Sequence, residues 1–396
     1  MAAFLCYLYL RILSAILVLA GSTVAANARR SFSLTQSSRA DRVQPLDIST
    51  VFARNLVRYG GKVPRDVVHS AETASVPALS QNLEFVVPIS VGASTLQLSI
   101  DTGSSDLWVF APQLPEDQRK GHAVYKRSVY ASVSPTKTWA ISYADGSTAS
   151  GEVHYDVVGV EGEGVWVMQQ AVEIATNVSN SLAQSSGSDG VLGLGFSILN
   201  KVRPERENTF FENAKQQLEL PLFAAYLPPE GVGSYDFGFI NGSKHAGELN
   251  YVDVDSSDGH WSFQVTGYDF GNGDIMNEPF KGVIDTGASL MFLPDAVVER
   301  YYRQIDGANN DAKFGEWMVP CSSSLPSFTV MIDTYNAVVP GDLLKLSPIA
   351  AGSSQCLGGI QSNLDAGVSI LGHVFLKTQY VVFDDRGPRL GFARQS

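Results

Sequence analysis

The chain has 396 residues, of which 44% are hydrophobic and 17% charged, and a formal net charge of -12. That length is too great for one core and predicts two domains with added segments, while the apolar content excludes a disordered chain. The acidic balance, with no basic stripe to neutralise phosphates, argues against nucleic acid as a partner.

The chain opens on an apolar run, Phe4 to Ala20, broken by Arg11. Its uninterrupted part, Ile12 to Ala20, is too short to span a bilayer, and the small residues Ala25-Ala26-Asn27-Ala28 follow it. This predicts a secretory signal over 1–28, cut after Ala26 or Ala28; a buried or anchoring helix is the alternative. No apolar tail closes the sequence at Gly391 to Ser396, so no lipid-anchor signal is expected. Between Arg29 and Leu79 eight Lys and Arg stand against four Asp and Glu, a balance of +4 on an otherwise acidic chain. A basic propeptide over 29–70, held electrostatically and lost when the body is protonated, is the expectation, with a disordered linker as its alternative. Val51 to Tyr59 could form a short helix stopped by Gly60-Gly61.

From Asn82 onward strand-forming residues come in short runs separated by turns, which predicts mainly β structure. Glu84–Ile89 and Leu96–Ile100 read as strands around a turn at Val91–Ser94, and Trp139–Val153 as a hairpin turning at Ala144-Asp145-Gly146-Ser147. Thr209 to Glu219 reads as a helix ended by Pro221.

One pattern occurs twice. Ser99-Ile100-Asp101-Thr102-Gly103-Ser104-Ser105 continues into Asp106-Leu107-Trp108-Val109, and Val283-Ile284-Asp285-Thr286-Gly287-Ala288-Ser289 continues into Leu290-Met291-Phe292. Each copy is an apolar strand that delivers an Asp into a Thr-Gly turn. A single copy is ordinary turn chemistry. Two copies in matching frames suggest two facing carboxylates that share a proton, one activating water as a base and the other polarising a carbonyl as an acid. A second repeat follows each Asp at a similar distance: Asp189 to Phe196, and Ser369 to Phe375, both apolar strands broken by glycine. Two motifs recurring in one order indicate two related β lobes over 71–248 and 249–396, each supplying one Asp.

Cys6 falls within the signal, leaving Cys321 and Cys356 as an even pair in a secreted chain, which points to one disulfide; two buried thiols are the alternative. Asn177-Val178-Ser179 and Asn241-Gly242-Ser243 are candidate glycan acceptors.

The chain from about Ser70 onward resembles the pepsin-like aspartic proteases, and among them the secreted fungal enzymes of the penicillopepsin and aspergillopepsin type. The resemblance rests on Asp101 to Phe110, the Tyr143 hairpin, Tyr235 to Ile240, Cys356 to Asn363 and Gln379 to Asp384. It implies a bilobal, mainly β fold with the active-site cleft between the lobes, and the proton-sharing dyad for which that family is the standard example. Asp101 and Asp285 would be catalytic, supported by Thr102, Gly103, Ser104, Thr286 and Gly287. Tyr143, Asp145, Gly146 and Ser147 would form a flap over the substrate, with the Tyr143 hydroxyl bonded to Trp108. The resemblance also implies a Cys321–Cys356 bridge. Three residues depart from the pattern: Ala288 replaces a Thr that bonds the second Asp, His373 replaces an Asp or Asn, and Ala144 replaces a flap glycine.

The expected function is a secreted acid endopeptidase made as a zymogen, monomeric, acting on protein and peptide substrates, with no metal, no cofactor and no stable membrane association. It would prefer large apolar residues around the cut, with Lys accepted at P1 through Asp145. A binding-only member of the fold would have lost an Asp or the flap Tyr. A two-carboxylate glycosidase has no need of the duplicated loops.

Overall fold

The structure, a computed structural model, describes residues 29–37, 58–60, 86–142, 147–185, 187–310, 316–350 and 352–396. The expected signal, most of the helix expected over Val51–Tyr59, Lys62 and the expected flap residues Tyr143, Asp145 and Gly146, with Ala144, lie outside the described residues.

Two sheets repeat one topology. In the first, Ser94–Asp101 runs parallel to Gly190–Gly193, which is antiparallel to Leu107–Phe110, which in turn runs parallel to Val165–Val178. In the second, Phe280–Ile284, Ser369–Leu371, Met291–Leu293 and Ile360–Ser362 pair in the same sequence of senses. The two repeats in the sequence are therefore paired strands: Ile100 lies opposite Leu192, and Ile284 opposite Leu371. Their apolar composition follows from burial on both faces, since Ile100, Leu192, Ile284 and Leu371 are all buried.

The Trp139–Val153 hairpin forms as Ser132–Ser142 against Thr148–Val160, and the first strand pair as Val86–Val91 against Ser94–Asp101. The Thr209 helix is shorter than expected, Phe210–Ala214 followed by a 3-10 turn, Lys215–Gln217. A capping box sets its start: the Thr209 hydroxyl accepts from Glu212 N–H while the Glu212 carboxylate accepts from Thr209 N–H. Cys321 and Cys356 are bonded, closing a loop worth roughly 3–4 kcal/mol in the chain-entropy account.

A six-stranded sheet joins the halves, in the order Phe32–Thr35, Ser234–Phe237, Leu222–Tyr226, Gln379–Asp384, Arg389–Gln395, His245–Asp253. Packed against it, the Phe223 ring stacks on Phe383 at 4.5 Å, and Trp261 meets both edge-on. The Trp261 indole N–H donates across the halves to the Leu194 carbonyl at 2.9 Å.

The edge strand of that sheet belongs to the basic leader. Phe32 and Leu34 are buried, and Phe32 stacks on Phe237 at 4.9 Å. Each such side chain stabilises its contact by roughly 1.5–3 kcal/mol. The leader is thus held by strand pairing and apolar burial as well as by charge, which the sequence reading did not anticipate. The signal was present as the alternation Phe32-Ser33-Leu34-Thr35, buried and exposed in turn.

Candidate active site

The two Asp-Thr-Gly loops meet tip to tip. Thr102 N–H donates to Thr286 Oγ1 at 3.1 Å, and Thr286 N–H donates to Thr102 Oγ1 at 3.0 Å. Each hydroxyl then donates to the strand of the opposite half, Thr102 to the Ile284 carbonyl and Thr286 to the Ile100 carbonyl, both at 2.8 Å. Every donor and acceptor of the cross-link is used, as burial requires.

The glycines are there for space. A Cβ on Gly103 would lie 2.5 Å from Asp285 Oδ2, and one on Gly287 would lie 2.5 Å from Asp101 Oδ1. Each carboxylate therefore occupies the room left by the other loop's missing side chain, which draws the two acids to one point. Both are buried, Asp101 at 3% exposure and Asp285 at 0%.

The surroundings of the two acids differ. Asp101 Oδ2 accepts from the Ser104 hydroxyl at 2.6 Å and Oδ1 from Gly103 N–H at 2.9 Å. Asp285 Oδ1 accepts from Gly287 N–H at 2.8 Å, but the residue matching Ser104 is Ala288, which has no donor. Burial alone would raise both acids. At Asp101 the Arg58 guanidinium, the Ser104 hydroxyl and the Gly103 N–H outweigh burial and hold the carboxyl below its usual value. At Asp285 burial and the nearby Asp101 anion prevail and push it up to about 6. Asp101 is the anion of the pair and Asp285 the acid.

The leader lies on top of this pair. Arg58 Nη1 is 2.9 Å from Asp101 Oδ1 and 3.5 Å from Asp285 Oδ2, and the buried Tyr59 hydroxyl donates to Asp285 Oδ2 at 2.8 Å. The Tyr59 ring packs at a tilt against His260 at 4.7 Å, whose imidazole is pushed below its usual value by burial, with Asp258 opposing and Arg58 reinforcing. Arg58 and His260 line a cavity of about 160 Å³ with Gly103, Ser104, Ile141 and Leu199. Arg58 of the basic leader lies in the cleft, whereas Lys62, beyond the Gly60-Gly61 break, is outside the described residues. Tyr59 and His260 were missed. An aromatic beside Arg58 was the available sign for Tyr59, while nothing local marks His260.

The other candidate residues are more dispersed. Trp108 is buried and stacked on Trp139 at 6.2 Å, and Ser147 is buried just before the strand Thr148–Val160. Asn177 is exposed on Val165–Val178. Asn241 is half-buried, its Oδ1 accepting from the Ser243 hydroxyl at 2.7 Å. His373 is buried behind the second loop, its Nε2 2.8 Å from the Thr286 carbonyl, with burial lowering it to about 4.

A cross-linked pair of carboxylates, one ionised and one protonated at the same pH, has the equipment of an aspartic endopeptidase. The family model described as eukaryotic aspartyl protease matches residues 84–395. Aspergillopepsin-1 of Aspergillus flavus is 48% identical over 383 residues, covering 95% of this chain and 94% of that protein. Aspergillopepsin-1 of Aspergillus fumigatus is 47% identical over 371 residues, 93% of each chain. Penicillopepsin-2 of Penicillium janthinellum is 44% identical over 389 residues, 96% of this chain and 98% of that one. The chain belongs to the eukaryotic aspartyl protease family, and it is an aspartic endopeptidase of the aspergillopepsin and penicillopepsin type.

The Ser104/Ala288 difference is testable. Ala288→Ser restores a hydroxyl beside Asp285, and a donor to the anion lowers its pKa. The upper limb of the pH–rate profile is expected to move to lower pH by about half a unit or more. An unmoved or raised limb would show that the missing donor does not set it.

Proposed function

We propose that the protein is a secreted zymogen whose mature form cuts proteins at acidic pH with Asp101 and Asp285 as its general base and general acid. The observation that carries this reading is the Arg58 guanidinium, which lies within 3.5 Å of both carboxylates, so that one cation spans the two acids. In the reaction Asp101 takes a proton from a water held between the pair. The water oxygen bonds to the scissile carbonyl carbon, and Asp285 donates its proton to the carbonyl oxygen. The tetrahedral adduct then breaks its C–N bond as the nitrogen takes the proton from Asp101 and one hydroxyl of the adduct returns its proton to Asp285, releasing acid and amine and restoring the pair.

Asp101→Asn and Asp285→Asn are each expected to abolish proteolysis of denatured haemoglobin with the fold intact by circular dichroism, because an amide can neither share the proton nor accept one from water. Residual activity above a few per cent in either, with contamination excluded, would overturn the assignment.

The leader acts as an inhibitor in this reading, since Arg58 and Tyr59 fill the place of the attacking water. Asp101 is depressed while Arg58 is docked, so its contribution to docking is present above the ordinary carboxylate value and is lost as pH falls through the depressed value. Asp285, raised to about 6, is already neutral in that window. Leader affinity is expected to fall by up to about tenfold per pH unit below about pH 4. Full-length Arg58→Met should then be active at about pH 6, where the full-length parent is silent. A full-length parent as active at that pH as its processed form would refute inhibition.

Specificity for large apolar residues fits the buried Ile141 and the neighbouring Leu199 beside the dyad. Acceptance of Lys at P1 rests on the resemblance of Asp145 to a flap carboxylate of the fungal enzymes. A carboxylate at a pocket rim pairs with an ammonium whose stem is buried. Asp145→Ser is expected to lower cleavage after Lys by about tenfold while cleavage after Phe changes little. Equal losses on both substrates would assign Asp145 to flap shape alone. Secretion rests on the signal-like start, and glycosylation on the exposure of Asn177.

A further inference from the structure

A second pair of acids lies behind the first dyad loop and takes no part in the reaction. Asp106, five residues after Asp101, is 2% exposed, and Glu173 is 1% exposed. Glu173 stands opposite Trp108 where Leu107–Phe110 and Val165–Val178 run parallel. Asn200 Nδ2 donates to both acids, to Asp106 Oδ1 at 3.1 Å and to Glu173 Oε1 at 2.9 Å, and also approaches the Ser105 carbonyl at 3.3 Å. Asp106 Oδ1 further accepts from Lys201 N–H at 2.7 Å. Glu173 Oε2 is buried and accepts from no N–H or ordinary O–H donor among the described residues, while the two carboxyls are in hydrogen-bonding contact.

Among the described residues no Lys, Arg or His forms an ion pair with either acid. The groups facing them are Asp101 and Lys201 on the Asp106 side and Glu207 on the Glu173 side. Lys201 is exposed and acts on Asp106 from a distance. Glu207 is itself paired with Lys137 at 2.6 Å. The nearby Arg203 donates to the carbonyls of Asn200 and Val202. Two touching buried carboxylates without a cation cannot both be charged. One proton between them completes the network, with Glu173 as the donor to Asp106. Burial, then the Asp106 anion, raises Glu173 well above an ordinary carboxyl.

We propose that Asp106 and Glu173 form a one-proton lock that holds the Ser104–Asp106 segment against Asn200 and Lys201, and that the lock opens when rising pH removes the proton. The consequence reaches the cleft, because Ser104 supports Asp101, and Leu199 and Lys201 line the cavity beside it. The lock does not depend on the leader, so it acts before and after processing. Its pH sense is opposite to that of the leader: acid releases Arg58, whereas alkali releases Glu173. A group whose folded pKa is raised stabilises fully below its unfolded value, and that stabilisation is lost as pH rises toward the folded value.

The test is the urea unfolding equilibrium of the full-length chain across pH, followed by tryptophan fluorescence. Glu173→Gln keeps the shape and donates permanently to Asp106, as the protonated acid does. Asp106→Asn donates in the other direction and lets Glu173 ionise against it. Relative to the parent, each variant is expected to be near-neutral at about pH 4 and to gain up to about tenfold per pH unit above that, reaching at least about tenfold in folded over unfolded by about pH 7. A merely structural role would give a constant offset at every pH. Parallel curves, or failure of both variants to fold at about pH 4, where the amide reproduces the protonated pair, would overturn the lock.

Discussion

The site depends on the exchange of hydrogen bonds between Thr102 and Thr286. Neither loop has a partner for its threonine within its own half, since each N–H and each hydroxyl is satisfied by the other half. Leaving any one of them unmade in a buried place costs about 1–3 kcal/mol, so the cross-link forms as a unit or not at all. The carboxylates therefore meet only when both halves are folded and docked. That docking is secured from beneath by the Phe223, Trp261 and Phe383 rings and by the indole bond to Leu194. Chemistry at the dyad is linked in this way to the integrity of an interface rather than to either half alone.

The leader is held by two physically different means. Strand pairing and burial of Phe32 and Leu34 involve no titrating group and are nearly indifferent to pH. The Arg58 and Tyr59 contacts in the cleft are with acids that titrate. In the proposed reading, acid empties the cleft while the edge strand stays in place, which keeps the leader near the body as the part in the cleft lets go. A leader held by charge alone would dissociate entirely on the same signal.

The parts of the protein that were legible in the sequence are those whose causes are local. Asp-Thr-Gly needs its glycine because the opposing acid occupies the missing Cβ, and that requirement is written within three residues at each copy. The glycine-broken strands, the Asp-Gly hairpin signal and the Thr209 capping box are equally local. Features made by distant pairing were harder to read. Glu173 was visible as a charge inside the apolar run Ala171-Val172-Glu173-Ile174-Ala175, but its partner Asp106 follows only from the register that sets Trp108 opposite Glu173. The same holds for His260, which reaches the cleft because the chain crosses between halves beside it. The leader strand was short enough to escape notice, and its docking place at Ser234–Phe237 lies far along the chain.

Duplication explains the site's symmetry, and small departures from it explain its chemistry. Two identical loops would give two acids of equal strength, and an equal pair has no preferred base. The Ser104 hydroxyl on one side and Ala288 on the other break that tie, because one donor stabilises one anion. The His373 ring beside the Thr286 carbonyl adds a further asymmetry in the layer behind the second loop. Behind the first loop the corresponding support is the Asp106–Glu173 pair. Each loop is thus backed by a different titrating group, an imidazole lowered to about 4 on one side and a raised carboxyl on the other. The imidazole begins to take up a proton at the acid end and the carboxyl gives one up at the other, so the interval in which both stay neutral lies between them. Within that interval the charge behind the two loops stays fixed, with His373 neutral and one proton shared by Asp106 and Glu173, and the cross-linked pair can keep its geometry while Asp285 titrates.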